Sequence, residues 1–428
     1  MTKKVSVIIP VYNAEKYLPE TLRCLLEQDY PDYEVLAVND CSTDGSTGII
    51  NEFAERFREK NTDLILVDRL VNGGLCAAIN SGIGRAKGSY LCFPDADDEI
   101  APDYISSMMK ILEKEPSKKW VRCDYTIVLE EEGREYDVHL PSKSVYKNDY
   151  FDFVSKFIPH NAWNMIVERE YFEQCIGSRI YDSRLTQEWS LLIPLSYHSD
   201  YARCGKLLYR YHIRKNAMSS WQNKDIESVI EHFDALEQLN LIMTDSLDCD
   251  DEEFLAVSKR ALKIYYHLMK YKKYAQKSYD EQADRELEEL YAVSYDLTYG
   301  EFAARINEPD LYVRVVFDKL LGADTGSAEM RYDEYKELFK SVFVVLYDKP
   351  GKKLMTALTA AYGEPVKIIY HSDYDAAQWS SAVKVCLIEN SQIYKDIVDR
   401  DFGSAERYFD YRDIRESLRG WAAREVVM

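Results

Sequence analysis

Over its first hundred residues the chain alternates two kinds of apolar pattern. Val5-Ser6-Val7-Ile8-Ile9-Pro10 is a nearly continuous β-branched run, the signature of a strand buried on both faces of a parallel sheet. Leu18, Leu22, Leu25 and Leu26 then recur at helical spacing and predict an amphipathic helix over 14–28, broken by Tyr30-Pro31-Asp32. Tyr33 to Val38 predicts a second strand ending in Asn39-Asp40, and the cap-rich stretch Cys41 to Thr47 leads into a helix through about Glu59. Asp63 to Val67 predicts a third strand and Ala77 to Ala86 a third helix. The short run Tyr90-Leu91-Cys92-Phe93 predicts a fourth strand that ends at Asp95, Asp97 and Asp98. Strands alternating with helices at this spacing make a doubly wound α/β sheet, whose ligands sit beyond the carboxyl ends of the strands.

Farther on, the patterns predict a helix from Tyr104 to about Glu115, a strand over Trp120 to Glu130, a helix over Asn148 to Phe157 and a strand over Tyr201 to Tyr211. Glu130-Glu131-Glu132-Gly133 reads as an exposed acidic turn rather than a site. Helical patterns fill Asp225 to about Arg305. In the Tyr- and Lys-bearing stretch from Lys259 to Lys273, basic groups could hold an anionic acceptor or rest on a membrane, but the favoured reading packs Tyr and Leu inward. Phe339 to Asp348, Val366 to His371 and Ala382 to Glu389 predict buried strands, separated by helices such as 352–362. The expected organisation is thus an α/β domain over 1–222, a mainly helical region over 223–334 and a smaller α/β unit over 335–428.

Composition narrows the class. With 46% hydrophobic and 30% charged residues the 428-residue chain is a folded protein of two or three domains, and its net charge of −20 argues against sequence-independent nucleic-acid binding. No stretch of 18 apolar residues occurs. Nine scattered cysteines, no CxxC pair and no recognisable signal-peptide core lead to the expectation of a reduced, cytoplasmic protein, with peripheral contact at the inner face of the membrane as the one further location considered.

The strand-end loops carry the candidate chemistry. Neighbouring carboxylates repel, so Asp95, Asp97 and Asp98 call for a cation. Mg2+ or Mn2+, with oxygen ligands and positions left for substrate phosphates, fits that need. Tyr12 offers a flat face for a base, Asp40 could accept from a pyrimidine N–H or a ribose hydroxyl, and Gly73-Gly74 lets backbone amides approach a ligand ahead of a helix.

Val5–Asn13 (VSVIIPVYN), Val38–Ser46 (VNDCSTDGS), Asn72–Gly74 with Ala86-Lys87-Gly88, and Pro94–Asp98 (PDADD) together resemble the nucleotide-binding half of the inverting family-2 glycosyltransferases. The resemblance implies the α/β GT-A fold of nucleotide-diphospho-sugar transferases, followed here by the helical region and the small C-terminal α/β unit. It implies a nucleotide-sugar donor held by Pro10, Tyr12, Asp40, Asn72, Gly74 and Asp95, with the metal on Asp95 and Asp97. One departure is Ile79, where the family often has Arg before the Asn at 80.

The same resemblance extends through about Trp221. Aligning Thr186-Gln187-Glu188-Trp189 on the family's acidic pair before Trp makes Glu188 the candidate base, with Gln187 in the other acidic position. A Trp-containing segment borders the acceptor pocket in relatives, which makes Trp163 a candidate acceptor contact. Tyr209-Arg210-Tyr211-His212, followed by Asn216 and Ser219, is similar to the family's tail motif. There His212 would complete the metal shell or touch the diphosphate, and Arg214 would neutralise the leaving group. The resulting expectation is an inverting, metal-dependent transferase acting on a nucleotide sugar, most naturally UDP-linked, and a saccharide or lipid-linked acceptor in cell-surface polysaccharide or glycoconjugate synthesis. The alternative is a non-catalytic sugar- or nucleotide-binding protein that kept the fold. A sugar nucleotidyltransferase is disfavoured because Val11-Tyr12-Asn13-Ala14 is not a Gly-rich pyrophosphate loop.

Overall fold

The computed structural model describes residues 4–144, 146, 148–155, 158–214, 225–293, 320–321 and three strands between 342 and 387. Two compact units divide the chain, Met1–Leu262 and Lys263–Met428. Both boundaries expected from the sequence, after 222 and after 334, lie outside the described residues.

The first unit opens with the expected alternation: β1 (Val5–Val11), α1 (Leu18–Leu26), β2 (Tyr33–Asn39), α2 (Ser46–Glu59), β3 (Asp63–Asp68), α3 (Leu75–Ile83) and β4 (Tyr90–Cys92). It continues with β5 (Glu99–Ile100), α4 (Tyr104–Lys114), β6 (Trp120–Leu129), β7 (Arg134–Val138), α5 (Asp149–Val154), β8 (Met165–Glu168), α6 (Arg169–Ile176), α7 (Glu188–His198), β9 (Ala202–Ile213) and α8 (Ile226–Asp245). The nine strands form one mixed sheet in the order β3-β2-β1-β4-β8-β6-β9-β5, with β7 paired to β6. β1 pairs in parallel with β2 and β4, and β2 with β3, so four carboxyl ends reach the same sheet edge. The second half of the sheet is mixed, because β8 is antiparallel to both β4 and β6 while β9 runs parallel to β6.

Burial follows the apolar pattern. Val5, Val7, Ile9, Val35 and Ala37 are inaccessible and pack with Leu22, Leu25, Phe53 and Phe57 from the helices; each large side chain so buried contributes about 1.5–3 kcal/mol. Polar braces lock the edges of this core. Ser6 donates from Oγ to Glu34 Oε1 at 2.6 Å, and Glu34 also accepts the Lys87 amide at 2.6 Å and pairs with Lys4 at 3.2 Å. Gly88 completes the brace by donating to Ser6 Oγ, and a Cβ there would stand 2.6 Å from the Ser6 nitrogen. The Ala86-Lys87-Gly88 motif is therefore a backbone requirement of this brace.

In β5, Glu99 pairs with Arg210 and Ile100 with Tyr209 of β9. That two-residue pairing carries the acids after β4 against the end of β9, a juxtaposition of segments more than a hundred residues apart in sequence.

Helix α9 (Glu252–Gln276) and, in the second unit, α10 (Asp280–Ala292) supply the expected helical region. Ile264, Tyr266, Leu268 and Tyr271 of α9 are buried, in keeping with the inward-facing reading, but of the lysines expected to be solvated Lys263 is exposed and Lys270 is buried. Among the described residues no helix is long and apolar enough to cross a membrane. β10 (Val342–Leu346), β11 (Lys367–Tyr370) and β12 (Val383–Leu387) form a parallel sheet in the order β11-β10-β12, and the helix expected over 352–362 lies outside the described residues.

Candidate active site

The loops at the carboxyl edge are tied to one another before any ligand is considered. The Asp40 amide donates to Val11 O at 2.8 Å, and Asn39 Nδ2 reaches Asp68 Oδ1 at 2.6 Å. Asn13 Oδ1 accepts the Thr43 amide at 2.8 Å, while Asp44 accepts the amides of Glu15 and Ser46, each at 3.0 Å. Most polar residues of VNDCSTDGS are thus spent on joining the first two loops. Tyr12 is 53% exposed and Pro10 half-buried, so the Tyr12 ring is available to stack.

Asp40 is engaged by the turn that precedes α3. Only 3% exposed, it accepts the Gly73 amide at 3.1 Å and the Gly74 amide at 2.7 Å, and its Oδ1 lies 2.7 Å from Arg69 Nε. Asn72 donates from Nδ2 to the Asp40 carbonyl at 3.2 Å. Gly74, at φ +85°, turns the chain into α3 in a conformation that side chains disfavour. These contacts shape the turn in front of α3. Ile79 is fully buried and offers nothing to a phosphate.

The acids after β4 share a pinned turn. Thr21 Oγ1 donates to the Asp98 carbonyl at 2.8 Å, with the Ala96 carbonyl 3.0 Å away. Tyr209 Oη accepts the Asp95 amide at 3.0 Å and donates to Asp98 Oδ2 at 2.9 Å, and Asp98 Oδ1 accepts the His212 amide at 2.9 Å. Burial drives the Asp95 carboxyl well above the usual carboxylate range, and the charges of Asp98, Asp97 and Glu188 push it further. Burial and then Asp97 do the same to Asp98. Asp97 is raised by burial against the opposing charge of Arg214.

Such a cluster is short of positive charge, and a hard divalent cation would relieve it. Among the described residues no three carboxylates, imidazoles or thiolates converge as a closed metal cage. Mg2+ and Mn2+ ordinarily bind through one or two carboxylates together with substrate phosphates, so Asp95 and Asp97 fit that need. Asp98 is committed to Tyr209 and the His212 backbone and serves the turn.

Glu188 reaches this cluster through α3. Asn80 binds the Ile180 backbone in both directions, accepting its amide at 2.8 Å and donating to its carbonyl at 3.0 Å. Cys76 Sγ lies 3.5 Å from the Thr186 carbonyl, and Thr186 Oγ1 accepts the Glu188 amide at 3.3 Å. Glu188 then opens α7, partly accessible and close enough to raise Asp95. Gln187 beside it is 2% exposed and its Oε1 has no hydrogen-bond partner among the described residues, so it adds no second base. Burial pushes the Cys76 thiol up to about 12, which removes it as a thiolate nucleophile.

Two expectations need correction. Trp163 is 2% exposed, stacked on Tyr209 at 4.3 Å and Tyr211 at 5.1 Å with Tyr125 edge-on at 4.8 Å; it is a core residue and no sugar can reach its face. His212 directs Nδ1 to Glu130 Oε1 at 3.0 Å and has Nε2 3.1 Å from Glu99 Oε1, so glutamates engage both ring nitrogens, while the ring stays near enough for its charge to act on Asp97. Arg214 does join the cluster, donating to Asp97 Oδ2 at 2.8 Å. Glu130, read from the sequence as part of an exposed turn, also belongs here: it accepts Arg214 Nε at 2.9 Å. Its one sequence signal is its place at the end of a long strand.

A family profile for glycosyl transferase family 2 matches residues 6–163. The putative teichuronic acid biosynthesis glycosyltransferase TuaG of Bacillus subtilis is 32% identical over 218 residues, which span 50% of this chain and 81% of TuaG. The glycosyltransferase GlyA of Streptococcus pneumoniae is 31% identical over 277 residues, 61% of this chain but only 37% of GlyA. Among solved structures, Staphylococcus aureus TarS 1–349 in complex with UDP-GlcNAc superimposes with a TM-score of 0.51 at 19% identity, covering 78% of this chain and 92% of that one, a likeness of fold. The chain belongs to glycosyl transferase family 2.

Proposed function

We propose that the chain is an inverting glycosyltransferase that moves a sugar from a nucleoside-diphosphate donor, UDP-linked by preference, to a saccharide or lipid-linked acceptor in cell-surface polysaccharide or glycoconjugate synthesis. The observation that carries this reading is the meeting of Asp95 and Asp97 at the end of β4 with Glu188 at the start of α7, on the sheet edge where Tyr12 is exposed. The name of TuaG, a putative teichuronic acid biosynthesis glycosyltransferase, favours a role in surface polymers.

In this mechanism Tyr12 stacks on the base, and the Gly73-Gly74 turn lines the donor crevice. Mg2+ or Mn2+ on Asp95 and Asp97, when bound, supplies positive charge to the diphosphate. Glu188 takes the proton of the acceptor hydroxyl while that oxygen attacks the anomeric carbon from the face opposite the leaving group. The bond from that carbon to the diphosphate breaks, and its electron pair leaves on the phosphate oxygen. A base placed on one side and charge neutralisation on the other are the two requirements of single-displacement inversion.

Thermal-shift screening of nucleotide sugars with and without Mn2+ identifies the donor; a ligand at about 100 times its dissociation constant adds roughly 2.7 kcal/mol. Transfer from that donor, followed by NMR of the new linkage, should give the anomer opposite to the donor's. The Asp97→Asn variant should lose turnover. A retained anomer would refute inversion, and an unimpaired Asp97→Asn would refute the cation assignment.

A further inference from the structure

Arg214 occupies a socket that chemistry alone does not require. Its guanidinium donates from Nη1 to Asp97 Oδ2 at 2.8 Å, from Nη2 to the Asp97 carbonyl at 2.7 Å and from Nε to Glu130 Oε1 at 2.9 Å. It lies 4.0 Å over the ring of Tyr17 and is 9% exposed. A permanently charged group of this chain therefore neutralises the carboxylate assigned to the cation. Glu130 grips the same guanidinium from the other side.

Glu130 is itself fixed by the sheet. Its amide donates to Ile213 O at 3.3 Å, next to the register pair Leu129 and Ile213, and Oε1 also takes His212 Nδ1 at 3.0 Å. Residues at the end of β6 thus set where the last residues of β9 present their charges.

We infer that Glu130 is a positioning residue for a cation exchange at Asp97. With no ligand bound, Arg214 serves as the counter-ion of Asp97. When a divalent cation takes that carboxylate, Arg214 stays tethered through Nε to Glu130 and stacked on Tyr17, and its two terminal amines turn to the diphosphate. A planar fork of donors suits that role, since guanidinium matches phosphate oxygens in pairs. The inference rests on the reading of Asp97 as a cation-binding residue.

Competition gives the exchange a measurable sign. In this exchange the cation takes Asp97 Oδ2, the oxygen that Arg214 Nη1 holds, so the metal's apparent dissociation constant rises by the reciprocal of the fraction of molecules in which Arg214 has let go. The test uses the full chain and two probes: Mn2+ alone, with the free ion read by electron paramagnetic resonance, and inorganic pyrophosphate titrated calorimetrically into the Mn2+-loaded protein. Arg214→Gln should bind Mn2+ about tenfold more tightly yet hold pyrophosphate about tenfold more weakly. Glu130→Gln should weaken pyrophosphate without tightening Mn2+, and Glu130→Asp should recover part of the loss. Unchanged or weaker Mn2+ binding in Arg214→Gln, with binding lost in Asp97→Asn, would overturn the exchange and leave the cation assignment standing. Wild-type pyrophosphate affinity in Glu130→Gln would overturn the role of Glu130. Wild-type Mn2+ binding in Asp97→Asn would instead remove the assignment of Asp97, and the inference with it.

Discussion

Replacing Asp40 by Ala separates a turn-holding carboxylate from a ligand-binding one. The substitution deprives the Gly73 and Gly74 amides of their acceptor and leaves Arg69 without its partner at 2.7 Å. Breaking one side of a buried charge pair costs about 3–5 kcal/mol. Arg69 keeps 23% of its side chain accessible, so solvent screens part of the loss and about 2–4 kcal/mol is the better expectation. For a unit of this size each kcal/mol moves the melting temperature by about 2–4 °C, which gives a fall of roughly 5–15 °C. Asp40→Asn keeps the volume and one acceptor oxygen, and should lose about half as much. The assay is thermal unfolding of the ligand-free protein followed by circular dichroism. A ligand-free melting temperature within about 2 °C of wild type, accompanied by loss of nucleotide binding, would refute the structural role and return Asp40 to direct nucleoside contact.

Other consequences follow from the same contacts. Gly88→Ala forces a Cβ to within 2.6 Å of the Ser6 nitrogen, and urea unfolding should show a loss of about 3 kcal/mol or more. Trp163→Ala should cost about 3–5 kcal/mol by the same measurement, whereas Trp163→Phe, which keeps an aromatic face toward Tyr209, should leave the acceptor KM unchanged. Burial pushes the Glu34 carboxyl up, but the Ser6 hydroxyl, the Lys87 amide and Lys4 outweigh it and hold the group below its ordinary value. A lowered folded value means that Glu34 stabilises the fold above its unfolded pKa of about 4.3 and loses that contribution as pH falls through the lower folded value. The stability gap between wild type and Glu34→Gln should therefore be constant near neutrality and shrink below about pH 4.3.

The first four strands and their helices were legible because each declares itself over a few consecutive residues, in β-branched runs and in leucines at helical spacing. The later half of the sheet was less so. β5 and β8 are two and four residues long, and they exist because partners elsewhere in the chain offer ladder positions to them. β6 meets β9 across a register shift at Asp124, which no local pattern announces. The acids after β4 were visible as candidates because carboxylates at a strand end are costly without a cation. The fate of Trp163 was not visible, since Tyr209 and Tyr211, which cover its faces, arrive from another strand. Glu130 lies in an exposed turn, as its acidic neighbours suggest, but its contacts with His212 and Arg214 were not visible, because sheet pairing brings those partners to it. The contacts of Asp40 were not visible either, because the amides that it accepts belong to a loop 33 and 34 residues later.

Glu188 acts as base beside the acids of β4 in the proposed mechanism, and Glu188→Gln tests that most directly. Transfer from the identified donor should fall by about 10²–10⁴-fold while affinity for the nucleotide sugar stays at the wild-type level. A Glu188→Gln enzyme that transfers at the wild-type rate would place the proton acceptor elsewhere and contradict the proposed site.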